Sequence, residues 1–103
     1  MQLTKKAVDT IITNDPSKEP YVLQITAIKA FQNQKISQRL QLSDGVNHIS
    51  AMLLAVHDRG LNLKTLDIVE LQGYQKQKIN GKNLIILARA PIKKAECKLQ
   101  IGL

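Results

Sequence analysis

Aromatic residues are scarce in this chain. Tyr21, Phe31 and Tyr74 are the full set, and there is no tryptophan. A surface that holds nucleic-acid bases by stacking needs exposed rings, so the shortage weighs against that mode. One cysteine, Cys97, cannot form an internal disulfide, which points to a reducing compartment. The five glycines are isolated, with no Gly-rich loop to cradle a phosphate. His48, His57 and Cys97 are too few and too irregularly spaced for a zinc site. No apolar run approaches the roughly 18 residues of a membrane span. The first thirty residues hold no apolar signal region. The expectation is a soluble intracellular protein with no metal or cofactor.

Acidic residues are scarce in the last third. Residues 1–70 carry eight Lys/Arg and seven Asp/Glu, whereas residues 71–103 carry seven Lys/Arg and Glu96 alone. The net charge is +7, with a pI near 9.8. A solvated basic face is the plain reading of such a run. A surface for an anionic partner explains the uneven placement better.

What is present centres on Arg39 to Leu54, RLQLSDGVNHISAMLL. Leu40 and Leu42 alternate with Arg39 and Gln41, the period of a half-buried strand. Ser43-Asp44-Gly45 then makes a turn. Gly accepts positive φ and Asp bonds its own backbone, so the stretch reads as a β-hairpin. A less cleanly alternating run follows through Val46, Ile49, Ala51, Met52 and Leu53. Asp44 has a structural task in this turn. Asp44 with His48, and His57 with Asp58, are close in sequence, but no further group completes a catalytic set. No enzyme is expected.

At 103 residues the chain is one domain. Ala7, Val8, Ile11 and Ile12 form a helical stripe, which predicts a helix over residues 4–12 with Thr4 as its N-cap. Asn14-Asp15-Pro16-Ser17 ends it. Pro20 opens a first strand, Tyr21 to Ile28. The hairpin supplies the second and third strands. Leu54 to Leu66 shows no single period and reads as a short helix or turn. Leu66 to Tyr74 reads as a fourth strand. Asn80-Gly81 marks a second hairpin turn, and Leu84 to Leu87 a fifth strand buried on both faces. Ile92 to Cys97 reads as a helical turn. The prediction is an all-β, five-stranded small barrel with a short N-terminal helix, and a helical link between the third and fourth strands is compatible with an oligonucleotide/oligosaccharide-binding fold.

The chain also resembles a known family, the N-terminal domain of the replication protein A large subunit. The resemblance rests on Leu3-Thr4, Ala7 and Ile11; on Pro20, Leu23-Gln24-Ile25 and Ile28-Lys29; and on Arg39-Leu40 with Leu42-Ser43-Asp44-Gly45. It continues through Asn47, Ser50, Met52-Leu53-Leu54-Ala55, Leu84 to Leu87 and Ile92-Lys93. It covers nearly the whole chain.

The resemblance implies a nuclear recruitment module of a single-stranded-DNA-binding complex, acting in replication, repair and recombination. A basic groove would receive acidic amphipathic segments of replication, repair and checkpoint proteins. The other subunits would be reached through the rest of a longer chain. By position it assigns cations Lys29, Arg39, Lys82 and Lys94 to the groove, and apolar positions Leu53, Leu84 and Ile86, with Ser50 nearby. Lys76 and Lys78 would add polar contacts from the final hairpin. Ser37 stands where the family has a groove arginine, Gln38 where it has an aromatic residue, and Arg89 where an acidic residue is usual. The loop after Ala55 is shortened. These departures point to a retuned groove or to a divergent paralogue, such as a telomere-associated large subunit. Weak single-stranded DNA binding is the alternative, with Phe31 and Tyr74 as platforms and Tyr21 more suited to the core. An inert spacer domain would leave the charge asymmetry unexplained.

Overall fold

The computed structural model describes residues 3–13, 21–30, 35–55 and 63–101. One helix and seven strands appear within them: α1 (Ala7–Ile12), β1 (Val22–Ala30), β2 (Ile36–Ser43), β3 (His48–Leu54), β4 (Ile68–Glu70), β5 (Tyr74–Ile79), β6 (Lys82–Leu87) and β7 (Ile92–Ala95). They form one sheet in the order β5-β6-β3-β2-β1-β4-β7. β1, β2 and β3 are an antiparallel meander, and β6 joins β3 in parallel. β5 and β7 form the two edges of this sheet, which is therefore not closed. The all-β class with a small N-terminal helix holds, with two more strands than expected.

The extra strands come from the second half of the chain. Residues 66–74 are not one strand: β4 covers three residues, and Tyr74 starts β5, the first arm of the second hairpin. Residues 92–95 form β7 and pair with β4, rather than making a helical turn. Phe31, the turn at residues 14–17, Pro20, and His57 with Asp58 in the link after Ala55 lie outside the described residues.

Alternation places the core. Leu23, Ile25, Leu40, Leu42, Ile49, Ala51, Leu53, Ile85 and Leu87 are buried on the inward face of the sheet. Ala7, Val8 and Ile11 of α1 pack into the same cluster. Fully burying a Leu or Ile side chain contributes about 1.5–3 kcal/mol, so this face dominates folding.

The helix start differs from the expected cap. Thr4 is clipped to β1: its N–H donates to the Val22 carbonyl (2.8 Å) and its hydroxyl accepts from the Val22 N–H (2.8 Å). The chain then turns through Lys6, whose φ of 57° is left-handed. Asp44, far along the chain, caps the helix instead. Its Oδ2 accepts from the Val8 N–H (3.1 Å), while Oδ1 accepts from Val46 (2.9 Å) and Asn47 (2.7 Å). One carboxylate thus closes the first hairpin turn and ties α1 to it.

Two further clips hold the other side. Gln24 is fully buried on β1. Its amide donates to the Leu66 and Leu99 carbonyls (both 3.0 Å), and its Oε1 accepts from the Ile101 N–H (2.7 Å). The C-terminal tail is thereby strapped to β1. Asp67 closes its own turn by accepting from the Lys64 N–H (2.8 Å). Leu66 beside it has a φ of 77°, an uncommon conformation for leucine. Hydrogen bonds from the Leu66 N–H to Ile25 and from the Ile25 N–H to Asp67 hold it there (2.6 and 2.8 Å).

Candidate functional site

The register defines the outward face. Lys29 on β1 lies opposite Arg39 on β2, Arg39 opposite Met52 on β3, Met52 beside Ile86 on β6, and Ile86 opposite Gln75 on β5. Neighbouring strands are about 4.8 Å apart, so five side chains form one row across the sheet. A second row runs through Ala27, Gln41, Ser50, Leu84 and Gln77. Met52 and Ile86, both half-buried, make an apolar strip in the middle with Leu84, which is 9% exposed. Lys29 and Arg39 stand at its β1–β2 side, and Lys82 at the turn end of β6.

A depression of about 150 Å³ opens over the second row, lined among others by Arg39, Gln41, His48, Ser50, Lys82 and Leu84. The Arg39 guanidinium donates to the Ser50 hydroxyl (3.0 Å). Gln41 is oriented by Thr26, whose hydroxyl lies 3.2 Å from the Gln41 Oε1. Among the described residues the lining includes no carboxylate.

The expected site residues divide clearly. Arg39, Ser50, Lys82 and Leu84 meet at the depression, and Lys29 and Ile86 stand in the adjoining row. Leu53 does not: it is fully buried in the core. Ser50 and Leu53 are an odd number of residues apart on one strand, so they face opposite ways. Met52 holds the surface position instead. Lys76 and Lys78 also lie on the other face, opposite Ile85 and Asn83. The Lys76 ammonium donates to the Ile12 carbonyl at the end of α1. Lys94 sits on the edge strand β7, separated from β2 in the sheet by β1 and β4, and does not line the depression. Sequence reasoning missed Met52 and His48, which the alternation around Ser50 on β3 would have found, and Gln41, which shares the face of Arg39 on β2.

The other basic region is partly committed to structure. Lys93 pairs with Glu96 (2.7 Å) and Asp67 (3.4 Å). The hydrogen bond to Glu96 raises the Lys93 ammonium above its ordinary value, and the same bond holds Glu96 below the usual carboxylate range.

Ring placement bears on the DNA alternative. Tyr21 is buried, and Tyr74 is on the inward face of β5, packed against the core with its ring 5.9 Å from that of Tyr21. Phe31 lies outside the described residues, so no described aromatic side chain belongs to the outward rows.

Fold and site together define a small all-β module with a cation-rimmed groove on one face. The family model described as replication factor-A protein 1, N-terminal domain, matches residues 3–93. The chain belongs to that family, which ties it to DNA replication. No curated protein matches the chain.

Proposed function

We propose that this domain recruits partner proteins by binding their acidic amphipathic segments along the outward face of β2, β3 and β6. In this reading it works in the nucleus, within a single-stranded-DNA-binding complex, in replication, repair and checkpoint signalling. The observation that carries it is the apolar strip of Met52, Ile86 and Leu84 with Lys29, Arg39 and Lys82 around it. Helix side chains three or four residues apart lie about 5–6 Å from each other, close to the strand spacing that separates Met52 from Ile86. An amphipathic helix can therefore seat its apolar face on the strip. The cations add speed of encounter and selection for acidic partners.

The test is a titration with an acidic amphipathic peptide and, in parallel, with oligothymidine, each at two salt concentrations. The reading expects the peptide to bind more tightly. Arg39→Glu or Lys82→Glu should weaken the peptide roughly tenfold, about 1.4 kcal/mol, with the fold intact by circular dichroism. Tighter oligothymidine binding with a steep salt slope, unaffected peptide affinity in both variants, and loss of binding in Phe31→Ala would replace it with the DNA reading.

A further inference from the structure

We infer that the depression between Arg39 and Lys82 is a subsite for a phosphomonoester, carried by a phosphorylated serine or threonine of the partner segment. The inference rests on the peptide-binding reading and names the chemistry that one part of the groove selects. Six polar residues line the depression: Arg39 and Gln41 on β2, His48 and Ser50 on β3, and Lys82 and Asn83 on β6. Two of them are cations, and among the described residues no carboxylate is in the lining.

The hydrogen bonds already present leave further donors on these side chains. The Ser50 oxygen accepts from Arg39, so its own proton is directed elsewhere. The Gln41 Oε1 faces the Thr26 hydroxyl, which leaves the Gln41 amide hydrogens for the depression. The Arg39 guanidinium uses one nitrogen on Ser50 and retains further N–H donors. A carboxylate has two oxygens and one charge. A phosphomonoester offers three terminal oxygens and a charge near −2, which suits this number of donors better. Charge-assisted bonds of this kind are the strong ones. The apolar strip beside the depression would hold the neighbouring residues of the segment.

The experiment uses one acidic amphipathic peptide in four forms, with serine, glutamate, phosphoserine or phosphothreonine at a position scanned along it. Binding is followed by calorimetry on the wild-type domain and on Ser50→Ala, which keeps both cations. Inorganic phosphate and 5′-phosphorylated oligothymidine serve as separate probes. At one position, either phospho-form should bind roughly tenfold more tightly than serine and clearly more tightly than glutamate. In Ser50→Ala the ratio of phospho-peptide to serine-peptide affinity should fall towards that of glutamate. Equal affinity for phosphoserine, phosphothreonine and glutamate at every position would overturn the subsite and leave the peptide reading standing. A gain for 5′-phosphorylated oligothymidine alone would overturn it in favour of a nucleic-acid phosphate, and a gain for inorganic phosphate alone would reduce it to a free-ion site. Failure of every peptide form to bind would instead defeat the recruitment reading itself.

Discussion

Asp44 accepts three backbone N–H groups, from Val8, Val46 and Asn47, while almost wholly buried. Removing the carboxylate strands those donors, and hydrogen bonds to charged groups are the costly ones to lose. Asp44→Ala should therefore destabilise by about 2–4 kcal/mol in urea unfolding. Asp44→Asn should lose less, because one oxygen can still serve the turn. Equal stability of all three proteins would contradict the assigned role. The turn task of Asp44 was legible from Ser-Asp-Gly. Its capping of α1 was not, because that contact joins residues far apart in the chain. Leu53 and Met52 make a second contrast. Leu53→Ala should cost about 2–5 kcal/mol as a core cavity. Met52→Ser should change stability by about 1 kcal/mol or less yet weaken the acidic peptide several-fold. The reverse pattern in paired unfolding and binding experiments would place the wrong leucine-side residue in the groove.

The hairpins carry most of what the sequence revealed at the level of elements. Asn80 and Gly81 have φ of 52° and 78°, and Ile79 pairs with Lys82, so the loop has two residues with both in the left-handed region. This is the turn that Asn-Gly favours. A Cβ at Gly81 would meet nothing within 4 Å, so the penalty there is conformational alone. Gly81→Val should lower stability by about 1 kcal/mol or more, and an unchanged melting temperature would count against the turn. The same two-residue loop fixes which side chains share a face. Gln75, Gln77 and Ile79 go with Ile86, Leu84 and Lys82, while Lys76 and Lys78 go to the other side. That division follows from the Asn-Gly signal, whereas counting lysines in the segment had hidden it. β7 was harder to read. Four residues with two lysines show little period, and their strand form depends on pairing with β4.

On the scale of the whole molecule, the cations singled out above fall in three places, with Lys76 and Lys78 on the opposite face of the sheet. Arg39 and Lys82 meet at one depression, with Lys29 in the row beside it. Lys93 is engaged with Asp67 and Glu96, and Lys94 lies on the far edge strand. The basic last third was visible in the sequence, but which of its cations reach the groove and which the β7 edge depends on strand order, which no local pattern encodes. Exposed cations contribute little singly because water and salt screen them. Their weight in the proposed function comes from convergence beside an apolar strip. Mapping amide chemical-shift changes during titration with an acidic amphipathic peptide tests that convergence most directly. The account predicts changes concentrated at Arg39, Ser50, Met52, Lys82, Leu84 and Ile86, lost when Arg39 and Lys82 are both replaced by Glu. Changes centred on Lys93, Lys94 and the rest of the β7 edge, with those six positions still, would contradict it.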